Sequence, residues 1–375
     1  MIYFDNAATS FPKPRSVLRE VQKCCTRYCG NPGRSGHRMS IRAAEAIYSV
    51  RESVCELIGI NEPENVIFTQ NATHALNIAI KGLIREKCHV IISDLEHNSV
   101  IRPLESLRKI CGVEYSIFDH TNPGGVDGLR RADTKFLITT LRSNVIGVDV
   151  DYGYISEYCR QNGIRLILDA SQYIGHTPLS LENVYFDALC APGHKGLFGI
   201  QGSGILVLGK GVKPETFIEG GSGSNTFDSE MPQESPERYE AGTLSTPAIV
   251  SLGEGIRCIH KIGIENIDGR IQMLTNLLYD RLIDITNVRI LGCSNGICAF
   301  NVGMLPSSHI ADLLNRGGIC VRGGFHCAPL THRFLRTEEQ GAVRISFSHF
   351  NGKREIDEFY KYLKSSLKLA YQNEK

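Results

Sequence analysis

The chain has almost no net charge, with 41 basic against 40 acidic side chains in 375 residues, and no block of one sign. That balance excludes a general attraction to nucleic acid or anionic lipid. No apolar run approaches the roughly 20 residues of a membrane span. The opening MIYFDNAATSFPKPR places Asp5 before any sizeable apolar stretch, unlike a secretory signal, so a cytoplasmic protein is expected. Gly-rich segments lie at 199–204 and from Gly220 onward, but their order does not match the dinucleotide fingerprint, and there is no P-loop. The 13 cysteines include Cys24, Cys25, Cys29 and the pair Cys293, Cys298, none with the two-residue spacing of a zinc knuckle. No metal site is expected. An odd count scattered over helices and strands reads instead as small buried hydrophobes in a reducing compartment. Internal repeats and low-complexity tracts are also missing.

What is present is an ordinary globular composition, 42% hydrophobic and 22% charged, long enough for a large α/β domain plus a smaller one. Short β-branched runs predict strands at 66–69, 89–93, 135–140, 165–168 and 186–190, separated by helical periodicities such as 41–58, 76–84 and 154–161. Alternation of this kind predicts a mostly parallel sheet whose ligand crevice lies at the strands' carboxyl ends. Asn71, His97, Asn144, Asp169 and Lys195 all fall at such ends. The Gly-, Ser- and Pro-rich stretch from Gly220 to Thr246 closes the large domain. Beyond it, strands near 288–291, 297–302, 319–322 and 343–347, with a closing helix from Glu355, predict a small α/β domain. The boundaries expected are 15–246 for the large domain and 1–14 with 247–375 for the small one.

Three stretches carry chemistry. In RLILDASQ a buried strand delivers Asp169 and Gln172, and in CAPGHKG a turn presents His194 and Lys195. An acid and a lysine so placed are what a pyridoxal phosphate site requires. The lysine forms a Schiff base with the aldehyde, and the carboxylate keeps the pyridine nitrogen protonated. Glycines at 193, 196, 199, 202 and 204 read as close approach of backbone to a ligand. In QNATHALN the free amides of Asn71, Ala72 and Thr73 open a helix, as a phosphate site does. In RGGFHCAP, Cys327 follows two glycines and His326, and that histidine and Arg322 would favour a thiolate. The loop GNPGRSGHR reads equally as a solvated connection or an active-site rim.

Taken together, YFDNAATS, QNATHALN, EHNSV, SNVIG, DASQ, GHK, EAGT and RGGFHCAP occur in the order found in cysteine desulfurases. These are class V aminotransferases of pyridoxal-phosphate fold type I, and the sequence resembles them over essentially its whole length. The cysteine loop resembles their second group, which includes enzymes acting on selenocysteine. The resemblance implies Lys195 as the Schiff-base lysine, Asp169 as the pyridine partner and His97 as the ring-stacking histidine. It places Gln172 and Asn144 near the phenolic oxygen and substrate, and Ala72, Thr73 and His194 at the phosphate. Thr243 would reach the phosphate from a second subunit, implying a homodimer. Arg344 would hold the substrate carboxylate, and Cys327 would accept sulfur as a persulfide for an acceptor protein in iron-sulfur, thio-cofactor or tRNA pathways. The substrate implied is L-cysteine; selenocysteine lyase or another carbon-sulfur lyase, a true aminotransferase and an inactive sulfur-transfer scaffold are the rivals. Pro192 replaces a usual phosphate-binding hydroxyl, and Phe325 the first of two histidines before the cysteine.

Overall fold

The computed structural model describes residues 1–33, 35–223 and 227–373. Arg34 of GNPGRSGHR and three residues of the 220–246 stretch therefore lie outside the described residues. After a short strand β1 (Ile2–Tyr3), seven strands build the main sheet. They are β2 (Val66–Thr69), β3 (His89–Ser93), β4 (Glu114–Phe118), β5 (Thr134–Thr140), β6 (Arg165–Asp169), β7 (Ala188–Pro192) and β8 (Gly204–Leu208). Their order is β2-β8-β7-β6-β5-β3-β4, and pairing makes β8 alone antiparallel to its neighbours, so the other six point one way.

Period-2 alternation makes this sheet the middle of three layers. Phe68, Ile91, Leu137, Leu166, Leu168 and Leu189 enter one core with Val50 and Val54 of helix Arg38–Ile58 and Ile155 of helix Tyr152–Asn162. Ile67, Val90, Ile92, Ile138, Ile167 and Cys190 enter the other with Leu76 of helix Ala72–Leu83 and Leu104 of helix Asn98–Cys111. Burial on both faces is why the strands read as apolar runs. The run expected at 186–190 starts two residues before the strand it marks, β7, because Asp187 lies outside it, accepting from Arg165 Nε at 2.8 Å and from the Leu166 amide at 2.9 Å.

The remaining strands are β9 (Val288–Ser294), β10 (Ile297–Val302), β11 (Ile319–Cys320), β12 (Arg322–Gly324) and β13 (Ala342–Ser346). The order β12-β13-β10-β9 forms an antiparallel sheet, while β1 pairs with β11. Val343 and Ile345 face a core shared with Phe4, Leu278 and Phe359. The intervening Arg344 must therefore face the other way, toward the main sheet. Arg322 lies directly opposite it on β12. No helix among the described residues is long and apolar enough to cross a membrane.

Candidate active site

One cavity at the carboxyl ends of the main sheet gathers Ala72, Thr73, His97, Asn144, Asp169, Gln172, His194 and Lys195. Each strand end contributes a different chemical group. After β2, the Asn71 side chain caps the helix Ala72–Leu83 by accepting from the His74 amide at 2.9 Å. The amides of Ala72 and Thr73 stay open at the helix's positive end, suited to an anion. A Cβ on Gly204 would sit 2.7 Å from the Asn71 carbonyl carbon, so only glycine lets β8 pass beneath this turn.

That observation corrects the glycine reading. Added Cβ atoms at Gly193 and Gly196 would meet Ser203 Oγ at 2.3 Å and the Ile174 carbonyl at 2.1 Å. Gly199 is likewise crowded by the Gly193 carbonyl at 2.9 Å, while Gly202 needs its φ of +88°. These glycines clear space for the protein's own chain, and fix the Lys195 turn by packing.

Lys195 follows β7 with its amine inside the cavity. Burial pushes its pKa down to about 8; Asp169 opposes that, while Arg344 and Arg322 add to it. The carbonyl of His194, one peptide earlier, accepts from Lys13 Nζ at 2.7 Å, the Ser10 amide at 3.1 Å and Thr9 Oγ1 at 3.1 Å. The His194 ring is pushed down to about 4 by burial, with help from Lys195 and Lys13, and its Nδ1 is buried without a partner among the described residues. Asp169 ends β6 as a buried carboxylate, accepting from the Ser171 amide at 2.9 Å. Gln172 donates to the Ala7 carbonyl at 3.0 Å.

His97 caps the next helix, Asn98–Cys111. Its Nδ1 accepts from the Ser99 amide at 3.1 Å, which leaves Nε2 as the protonated nitrogen of a neutral ring. Burial pushes this imidazole down to about 4 against the pull of Asp169. Ser99 Oγ also meets Thr73 Oγ1 at 2.8 Å, joining the two helix amino ends.

Arg344 is fully buried. It donates to Asp5 at 2.8 Å and to the Asn144 carbonyl at 2.9 Å, leaving Nε without a partner among the described residues. The Asn144 side chain donates to the His326 carbonyl at 2.8 Å, and the Asn98 amide to the Cys327 carbonyl at 2.7 Å. These contacts bring the cysteine loop to the helix end beside His97. Cys327 itself is exposed, with φ of +56° following +51° at His326.

The expectation that His326 favours a thiolate is overturned. Its ring is buried and bonded through Nε2 to the Ala342 carbonyl at 3.1 Å, and burial, with Arg344 and His332, holds it well below the usual histidine range. It is a neutral wedge rather than a cation. Thr243 stands outside this cavity, exposed, with Asn31 Nδ2 at 3.5 Å.

Four further residues shape the site. Asp5 and Glu96 sit inside the motifs YFDNAATS and EHNSV, where motif order was legible but individual roles were not. Arg142 lines the cavity with its charge taken up by Asp149 at 2.6 and 3.0 Å. Neither it nor Lys13 had any sequence signal. Asp94, Asp119 and His120 cluster nearby, but His120 Nδ1 lies 3.0 Å from both Asp94 oxygens, so this imidazole already occupies that carboxylate.

Comparison with known proteins agrees with this geometry. The aminotransferase class-V family matches residues 2–359. A protein of Methanothermobacter thermautotrophicus bearing the name "Probable cysteine desulfurase" is 30% identical over 95% of this chain and 92% of its own. One of the same name from Pyrococcus abyssi is 30% identical over 98% and 94%. The apo cysteine desulfurase of Thermococcus onnurineus NA1 superposes with a TM-score of 0.89 at 26% identity, covering 98% of this chain and 94% of that one. With a family match over nearly its whole length and a fold shared from end to end, the chain belongs to the class-V aminotransferases, in the fold type I architecture.

Proposed function

We propose that the chain is a pyridoxal-phosphate-dependent cysteine desulfurase, converting L-cysteine to L-alanine and passing the sulfur to Cys327 as a persulfide for an acceptor protein. The observation that carries this reading is Lys195, buried at one strand end beside Asp169 at the next, in a cavity with donors left open for an anion. The residues fit the cofactor: the helix end at Ala72 and Thr73 and the unpartnered His194 Nδ1 suit its phosphate. Asp169 suits its pyridinium, Gln172 and Asn144 its phenolic side, His97 its ring face, and Lys195 its aldehyde. When bound, the cofactor supplies an electron sink for the substrate's α-carbon.

The chain's own groups do the rest. Arg344 offers its free Nε to the substrate carboxylate, with Arg322 beside it. A lysine lowered to about 8 is neutral often enough near pH 7 to take the α-proton and return a proton later. The Cys327 thiolate attacks the substrate sulfur. A sulfur-sulfur bond forms, the carbon-sulfur bond breaks, its electron pair stays on carbon, and protonation there yields alanine. The exposed persulfide is then available to a carrier.

We also place Thr243 at the phosphate of a partner protomer, making a homodimer. The expected division into 15–246 and 1–14 with 247–375 remains our proposal, with helix Thr246–Ile262 packing back on helices Arg15–Arg27 and Arg38–Ile58. The test is to supply pyridoxal phosphate and L-cysteine to the purified protein and measure visible absorbance, alanine and sulfide. Equal alanine and sulfide without any keto acid is expected. A protein that stays colourless sinks the proposal, and a requirement for a keto acid makes it a transaminase. Running selenocysteine in parallel identifies a lyase.

A further inference from the structure

Glu96 is buried completely between β3 and β5, yet none of the roles above uses it. Its Oε1 accepts from Ser93 Oγ at 2.5 Å and from the Thr140 amide at 2.7 Å. Its Oε2 has no partner among the described residues. Thr140 lines the cavity, and its Oγ1 donates to the Arg142 carbonyl at 3.0 Å, with the Asp169 carbonyl at 3.3 Å beside it. One side chain thus spans from the loop that carries His97 to the strand beside Asp169.

The surroundings make ionisation costly. No ion pair among the described residues involves Glu96, while Asp94, on its own loop, and Asp169, on β6, both add negative charge nearby. Asp94 is already engaged with His120. His97 follows Glu96 directly in the chain, and Lys195 and Arg142 line the cavity that Thr140 also lines. Burial and then Asp169 push Glu96 up to about 8, against the two hydrogen bonds at Oε1.

We propose that Glu96 is a positioning residue of this site, a strut that fixes His97 against Asp169 without placing a second anion beneath the cofactor. The inference rests on the cofactor reading given above. At neutral pH the strut is a carboxylic acid, so Asp169 faces the pyridine nitrogen as the lone carboxylate. Above about pH 8 a Glu96 anion would oppose Asp169 and disturb the pyridinium.

The test uses holoenzyme, Glu96→Gln and Glu96→Ala, read by the cofactor's visible spectrum from pH 6 to 10 and by cofactor retention on dialysis. Gln keeps the shape and both bonds at Oε1 without ionising. Glu96→Gln is therefore expected to match wild type within about twofold at pH 7 and to lose the spectral transition near pH 8. Glu96→Ala removes two hydrogen bonds and is expected to retain cofactor roughly tenfold more weakly. An alanine variant indistinguishable from wild type overturns the strut. A transition near pH 8 kept by Glu96→Gln belongs to another group such as Lys195 and overturns the charge argument. Should the alanine variant not fold, the glutamine titration still decides. A wild type that never takes up cofactor overturns the underlying reading instead.

Discussion

The two halves of the site are held in opposite ways. The Lys195 half is built from five strand ends, with side chains such as those of Asp169, Gln172 and His97 held by backbone groups and turns packed by glycines. The Cys327 half is a loop with its thiol exposed, fastened through the carbonyls of His326 and Cys327 and through the buried His326 ring. Rigid elements position groups to fractions of an ångström, whereas loops let a group travel. Under the proposed function, the contrast suits a cofactor that must not move and a sulfur that must leave.

Substitutions can break this contrast. The largest effect is expected from Lys195→Ala, which should abolish the wild-type visible band and lower turnover at least ~10³-fold, since both the cofactor tether and the proton-moving amine are lost. Cys327→Ala should keep the band in full yet lower sulfide release ~10²-fold or more; full release by this variant removes the cysteine from the mechanism. Asp5→Ala leaves Arg344 buried beside Arg322 without its anion. A loss of about 3 kcal/mol of stability is expected, visible in chemical denaturation, together with a raised KM for cysteine.

A pH experiment sharpens the rigid half. Glu96 has a folded pKa raised toward 8, so its favourable contribution is complete below its unfolded value and is lost as pH rises toward 8. Glu96→Gln should therefore gain on wild type by a growing margin between pH 5 and 8, at most about 1.4 kcal/mol per pH unit, in apo-protein melting curves. The smallest effect is expected for Asn144→Ala, which cuts one tie to the loop. Sulfide release should fall about fivefold while the visible band stays, one hydrogen bond being worth about 1 kcal/mol.

Strand positions were legible where both faces are buried, as in VIFT and HVIIS, because apolar runs leave little ambiguity. The edge strand β4, EYSIF, was not, since it is half exposed and its pattern is mixed. The same rule governs the site. Strand-end residues such as Asp169 follow from local order. Arg344 with Asp5 does not, because the partners lie at opposite ends of the chain and meet only through the second sheet. Gly196 misled because a missing Cβ says that something comes close, not whether that neighbour is ligand or protein. His326 misled because chemical adjacency to Cys327 says nothing of burial.

The carbonyl oxygens that anchor the cysteine loop belong to every possible sequence of that loop. Replacement of the outward side chains leaves these ties in place, and with the buried His326 ring held to the Ala342 carbonyl the segment can change its outward character while the thiol keeps its station. Phe325, half uncovered two residues before Cys327, is one such change, and under the proposed function it displays an aromatic surface where an acceptor would approach.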